Sequence, residues 1–347
     1  MIAPTAMRIA SPSSDPFALP THGGDLDLAE ARFGRPPEGW LDLSTGINPF
    51  PYPLPDLPAE LWHRLPSSAM EADLRRIAAG AYGVAHPDQL VTAAGSQAIL
   101  QMLPRLRPFT QVAVVGPTYG EHAACWSNAG HQVVPCETLD RVAGADVVVV
   151  TNPNNPDGRC QDRERLLDLA RGLGQRGGLL LVDETFVDAT PDMSLAGEVA
   201  PGLLVLRSFG KFFGLAGVRL GFAIGEPALA RLLRSALGPW AVSGPALAIG
   251  RQALADHGWI AESRRRLMAE AAALANEFAR AGLSVVGGTA LFLLVSAPRA
   301  WALYEYLGQR GILARPFAAA PRWLRFGLPG SADDRRRLGA ALAGWSD

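Results

Sequence analysis

The chain has 347 residues, 48% of them hydrophobic and 19% charged, which is a globular composition and excludes a wholly disordered protein. Thirty-two basic residues against thirty-three acidic ones give a formal charge of −1, so no global field exists to draw in nucleic acid or an anionic membrane. Cys125, Cys136 and Cys160 form no C-x-x-C pair, which argues against a disulfide scaffold or a zinc knuckle and fits idle thiols in a reducing cytoplasm.

Residues 1–20 are rich in Pro, Ser and Ala and are expected to form a flexible arm. No basic segment there leads into an apolar one, so no signal peptide is expected. The apolar stretch from Ala236 to Gly250 is broken by Gly238, Pro239, Gly244 and Pro245, too often for a membrane span. Leu41 to Pro58 is Pro- and Gly-rich and is expected to be an extended crossing segment. Leu74, Ile77, Ala78 and Ala81 have helical spacing within a helix predicted over Met70–Tyr82.

An α/β rhythm follows. Strands are predicted at Gln89–Thr92, Val112–Val115, Gln132–Pro135, Asp146–Thr151, Gly178–Asp183, Leu203–Ser208 and Gly221–Ile224. Helices are predicted between them at Gly95–Leu103, Ala123–Ala129 and Arg163–Arg171. Asp146–Thr151 is a β-branched run without polar alternation, as expected of a strand buried on both faces. The rhythm implies a doubly wound, mostly parallel sheet. Beyond about Gly225 the pattern changes. A long amphipathic helix over Glu262–Arg280, short strands at Ser284–Val286, Ala290–Val295 and Trp323–Gly327, and helices at Ala300–Arg310 and Ala332–Ala343 predict a smaller α+β domain. The expected organisation is an N-terminal segment (21–45) joining a small domain, a large domain over 46–235 and the small domain over 236–347.

Four segments fall at predicted strand ends, where open α/β sheets bind ligands. Ser208-Phe209-Gly210-Lys211 holds the only lysine of the chain. A protein that uses Arg for every other basic side chain and keeps one Lys needs an amine that can deprotonate. Thr151 to Gly158 (TNPNNPDG) has turn chemistry of its own. Asp183 ends an apolar strand, where a carboxylate is costly unless it meets a cation. Gly95-Ser96-Gln97 opens a helix, either as an anion site or as a plain N-cap by Ser96.

In this order and spacing the four segments resemble the fold type I pyridoxal-phosphate enzymes, in the aspartate aminotransferase branch. The resemblance runs from about His22 to the C-terminus and implies a fold type I architecture, a large doubly wound sheet domain with a smaller α+β domain. It implies that Lys211 carries pyridoxal 5'-phosphate, that Asp183 pairs with the ring nitrogen, and that Asn155 bonds the ring 3′-oxygen. Ser208 and Arg219 would hold the cofactor phosphate, with Gly95, Ser96 and Gln97 completing that cradle. Alignment to the histidinol-phosphate aminotransferases puts His122 over the cofactor ring, with Tyr119 as the alternative. Arg325, in Trp323-Leu324-Arg325-Phe326-Gly327, would clamp the substrate carboxylate. Arg315 is a second anion contact or a solvated loop residue.

Two departures count against ordinary transamination. Phe186 stands where this branch usually carries a tyrosine donor to the 3′-oxygen, and Leu65 stands where related aminotransferases often have a tyrosine that reaches across a dimer. His22-Gly23-Gly24, together with Leu41 to Pro49 (LDLSTGINP), looks like the threonine-phosphate decarboxylases of cobalamin biosynthesis. That likeness implies decarboxylation of L-threonine O-3-phosphate to (R)-1-amino-2-propanol O-2-phosphate. The alternatives are a histidinol-phosphate or aromatic aminotransferase, or a non-catalytic protein that keeps the fold. A cytoplasmic homodimer is implied, with a small phosphorylated amino acid as ligand and no nucleic-acid or membrane partner. His22 is expected near the substrate phosphate, and Asn48 on the crossing segment is expected to serve a neighbouring site.

Overall fold

A computed structural model describes residues 22–345 other than Val199, so the predicted arm lies outside the described residues. After a short strand β1 (Leu41–Asp42), seven strands form one sheet. They are β2 (Leu90–Ala93), β3 (Gln111–Val115), β4 (Gln132–Cys136), β5 (Val147–Thr151), β6 (Leu179–Asp183), β7 (Leu203–Ser208) and β8 (Gly221–Gly225). Their order is β2-β8-β7-β6-β5-β3-β4, and β8 runs antiparallel to both its neighbours while the remaining pairs are parallel. This is the mostly parallel sheet that the strand–helix rhythm implies.

The absence of polar alternation in β5 and β6 has a direct cause. Val148, Val150, Leu180 and Val182 enter the apolar core on one face of the sheet, while Val147, Val149, Leu179 and Leu181 enter the core on the other. Successive side chains of a strand point to opposite faces, so burial of both faces makes every position apolar. The carboxyl ends of the parallel strands therefore share one edge, and the antiparallel β8 starts at that same edge.

The C-terminal part carries β9 (Ser284–Thr289), β10 (Phe292–Ser296), β11 (Ile312–Leu313), β12 (Arg315–Pro316) and β13 (Trp323–Gly327). Four of these form an antiparallel sheet in the order β12-β13-β10-β9, and β11 pairs in parallel with β1. That last pairing attaches the N-terminal segment to the C-terminal elements. The long helix begins earlier than periodicity suggests, at His257, because the Asp256 carboxylate accepts from the Trp259 N–H at 2.9 Å and caps it. A helix at Leu26–Phe33, invisible to the sequence reading, is capped by Asp25 in the same way.

Beneath β6 and β7 lies an ionic cluster that no sequence pattern announces. The Arg207 guanidinium is buried, paired with the buried carboxylates of Glu184 and Asp188, and stacked 4.3 Å over the Tyr82 ring. Ser194 and the Leu195 N–H also donate to Glu184. Removing the cation would leave two carboxylates buried together, so Arg207→Met should lower unfolding free energy by about 3–5 kcal/mol. Urea titration measures this directly. A companion variant that also carries Glu184→Gln and Asp188→Asn should recover part of the loss, because no uncompensated charge then remains.

Candidate active site

The shared strand edge encloses a cavity of about 300 Å³. Lys211 reaches it from the four-residue helix Phe209–Phe212, which follows β7 directly. Burial, with Arg325 and Arg219 nearby, pulls the Lys211 amine down to about 8, against a smaller opposing pull from Asp183. Nucleophilic attack needs the neutral amine. Below pH 8 its fraction falls about tenfold per unit, and above pH 8 it levels off. The rate at which the amine captures an aldehyde, pyridoxal phosphate being the one the resemblance implies, should follow that curve, with a bend near pH 8. A lysine of ordinary basicity would still be accelerating at pH 9.5.

Asp183 ends β6 on the cavity floor. Burial alone would raise its carboxyl, but His122 and Thr185 outweigh burial and hold it below the usual carboxylate range. Asp183 Oδ2 lies 3.0 Å from His122 Nε2, and Oδ1 accepts from the Thr185 amide at 3.0 Å. His122 Nε2 is also 3.1 Å from Thr151 Oγ1, which in turn accepts from the Thr118 hydroxyl at 2.9 Å. Thr151 opens the turn-rich segment already read from the sequence, whereas Thr118 and Thr185 were given no role there and lie beside Tyr119 and Phe186.

His122 departs from its expected place. It is 0% exposed and stands behind Asp183 rather than over the cavity. Tyr119, the alternative, supplies the ring that lines the cavity. The reason is local: Tyr119 is the N-cap residue, with non-helical backbone (φ −59°, ψ 120°), so it does not share the face of His122, which lies in the first turn of the helix Gly120–Asn128 and is buried. The Tyr119 hydroxyl donates to Gln97 Oε1 at 3.4 Å. Gln97 Nε2 donates to Glu121, whose other oxygen is 3.3 Å from His22 Nε2. His22 lines the cavity mouth with its side chain 52% exposed.

One end of the cavity is shaped for an anion. Gly95 (φ 81°, ψ 157°) is in a conformation open essentially to glycine alone, and a Cβ there would sit 2.7 Å from Arg219 Nη2. The guanidinium thus lies against bare backbone at the start of the helix Ser96–Met102, beside Ser96 and Ser208. Arg219 itself has φ 54°, a left-handed backbone that a non-glycine residue adopts at a cost of about 1–3 kcal/mol.

At the other end, Arg325 of β13 is buried, with Nη2 donating to the Ser44 carbonyl at 2.9 Å and Nη1 to Asn155 Oδ1. Both acceptors are neutral, and Nε has no partner among the described residues. Burial, with Arg315 close by, brings the Arg325 guanidinium down to about 9. An incoming carboxylate would supply the missing counter-charge. Arg315 lines an adjoining vestibule of about 710 Å³, which shares His22, Tyr119, Asn155 and Arg325 with the cavity. Burial brings Arg315 down to about 10.

Phe186 lines the cavity, wedged edge-on against Phe292 at 5.0 Å. Asn48 does not reach the cavity. It is buried inside its own subunit, donating to the Phe212 carbonyl at 2.8 Å and to Ser263 Oγ at 3.2 Å. The expectation that it serves a neighbouring site is thereby corrected: a short amide enclosed by two other segments has no reach. Among the described residues no group of His, Cys, Asp and Glu is placed to hold a metal ion, and no helix is long and apolar enough to cross a membrane.

A desolvated amine, a carboxylate kept charged at the cavity floor, an aromatic wall and a guanidinium over bare backbone match the donor set of a phosphorylated pyridine aldehyde. The comparisons agree. Residues 41–342 match the family described as aminotransferase class I and II, and the chain belongs to it. Its cofactor is pyridoxal phosphate. The chain is 46% identical over 330 residues to a threonine-phosphate decarboxylase of Pseudomonas aeruginosa, covering 94% of this chain and 98% of that one. It is 47% identical over 334 residues to a threonine-phosphate decarboxylase of a Sinorhizobium species, covering 93% and 97%. Among solved structures, the histidinol-phosphate aminotransferase of Sinorhizobium meliloti in complex with pyridoxal-5'-phosphate has the same fold, with a TM-score of 0.75 at 21% identity over 91% of this chain and 93% of that one.

Proposed function

We propose that this chain is a threonine-phosphate decarboxylase that releases CO₂ from L-threonine O-3-phosphate to give (R)-1-amino-2-propanol O-2-phosphate, in the cytoplasm and in the service of cobalamin biosynthesis. The observation that carries the reading is the near-full-length similarity to two enzymes of that name.

Lys211 would hold the cofactor and Asp183 would keep the ring nitrogen protonated, with Asn155 at the 3′-oxygen. Ser208, Arg219 and the Gly95–Gln97 backbone would take its phosphate, and Tyr119 would cover its face. Bound there, pyridoxal phosphate supplies the electron sink for the bond broken at the substrate Cα. Arg325 fixes the substrate carboxylate, and Arg315 with His22 takes the substrate phosphate. Two charged anchors at opposite ends of a short molecule would fix its rotation about Cα, and so select which bond at Cα is broken. The Cα–carboxyl bond breaks, CO₂ leaves, and the Lys211 ammonium or a water returns a proton to Cα. The intact set of Lys211, Asp183, Asn155 and Arg219 argues against a non-catalytic role.

Transamination of histidinol phosphate is the competing reading, favoured by the shared fold. Phe186 cannot donate to the 3′-oxygen, and Leu65 carries no hydroxyl. Kinetics on three substrates separate the readings. L-threonine phosphate should exceed L-threonine in kcat/KM by about 10²- to 10³-fold, because the phosphate's charge pairs are lost together. Histidinol phosphate with 2-oxoglutarate should yield no glutamate; rapid glutamate formation would move the assignment to the aminotransferase.

The proposal includes a two-fold homodimer. Trp62, Leu65 and Trp240 are exposed, Leu65 at 67%, beside two adjoining grooves that share Leu247. A second copy is the occupant this apolar face suits. Sedimentation at assay concentration should give a dimer; a fully active monomer would contradict it.

A further inference from the structure

We propose that Asn48 is a positioning residue for Lys211: together with the segment that follows it, Asn48 clamps the backbone of the lysine turn so that the side chain can swing while its anchor stays fixed. The helix Phe209–Phe212 is a single turn. Such a turn has too few internal hydrogen bonds to persist unaided, and of its last carbonyls the Lys211 one finds within the turn only short-range donors, among them the Gly214 N–H at a long 3.3 Å. All three carbonyls at its end are taken by the crossing segment. The Asn48 N–H donates to the Lys211 carbonyl at 2.9 Å, the Asn48 side chain to the Phe212 carbonyl at 2.8 Å, and the Tyr52 N–H to the Phe213 carbonyl at 2.9 Å.

The Asn48 carboxamide is itself held from both sides. Its oxygen accepts from the Phe50 N–H at 2.8 Å, and its nitrogen also reaches Ser263 Oγ at 3.2 Å on the long helix His257–Arg280. Gly214 (φ 69°) closes the turn, and a Cβ there would lie 2.6 Å from the Asn48 carbonyl oxygen and 2.7 Å from Pro51 Cα. The two backbones are therefore in direct contact, and only glycine permits the approach. The clamp thus joins the lysine turn to the crossing segment and to the long helix with buried polar bonds.

The chemistry explains the need. Lys211 must hold the cofactor, release it to the substrate amine, and bring the freed amine back to Cα. A reacting group displaced by about 1 Å loses about 100-fold in rate. The inference rests on Lys211 as the cofactor's residue and not on which substrate is turned over.

The experiment compares holoenzyme variants Asn48→Ala, Asn48→Asp and Thr110→Val. Asn48→Asp keeps the shape and the acceptor oxygen but loses the donor to Phe212. Thr110→Val removes a hydrogen bond of the same length, from the buried Thr110 hydroxyl to Asp146 Oδ2 at 2.8 Å, at the far edge of the sheet from the lysine turn. Amide hydrogen exchange is read on peptides covering 209–214, and kcat and KM are measured well below each variant's Tm. Both Asn48 variants should exchange at least about tenfold faster over 209–214, with kcat down about 10- to 100-fold and KM within about threefold. Thr110→Val should keep both readouts within about threefold of wild type. If Asn48→Ala does not fold, Asn48→Asp carries the test alone. The proposal is overturned if a folded Asn48 variant keeps wild-type exchange over 209–214, if its kcat is unchanged, or if Thr110→Val produces the same losses. The exchange arm needs no substrate, so it stands or falls separately from the decarboxylase assignment.

Discussion

Lys211→Ala should abolish the visible absorbance of bound cofactor and lower kcat by about 10⁴-fold or more, the upper range for a positioned proton-transfer group with loss of the covalent anchor added. The expectation rests on uniqueness as well as geometry. Lys211 is the only lysine of the chain, so no neighbouring amine can take over. Its amine is buried beside two guanidinium groups and brought down to about 8, which makes it nucleophilic near neutrality. Borohydride reduction of wild-type holoenzyme should therefore modify one peptide, the one that contains Lys211. Cofactor absorbance that persists in Lys211→Ala would remove the cofactor assignment.

Arg325→Ala should cost about 2–5 kcal/mol of transition-state stabilisation, equivalent to roughly 30- to 5,000-fold in kcat/KM. The guanidinium is buried, is held in place by the Ser44 carbonyl and Asn155, and among the described residues meets no carboxylate at hydrogen-bond distance. Arg325→Lys should rescue little, because a point charge cannot replace a planar fork held from both sides. A fall in kcat larger than the rise in KM is expected, since on the proposed reading the residue sets the direction of the scissile bond. An unchanged kcat with a raised KM would mean that Arg325 only binds.

The parts of this protein that were legible in the sequence are those where one physical demand acts on consecutive residues. β5 and β6 are buried on both faces, so their apolar runs mark them, and the polar residues that end them fall at the ligand edge. Lys211 stood out by composition alone. Other features depend on which way a side chain turns, and no local pattern encodes that. Tyr119 and His122 are three residues apart at one helix start, and only the packed helix shows that the first faces the cavity and the second backs Asp183. Asn48 lies in a segment without periodicity, and its partners are 164 and 215 residues away in sequence. The Arg207 cluster joins residues from a helix end, two strand ends and a short turn, each unremarkable in its own stretch.

The most direct test of the reaction uses L-threonine phosphate labelled in its carboxyl carbon, incubated with holoenzyme and no keto acid. The account predicts many turnovers of labelled CO₂, with one equivalent of 1-amino-2-propanol phosphate formed for each CO₂ released. Retention of the label in a keto-acid product, limited to one turnover per cofactor until 2-oxoglutarate is added, would contradict it.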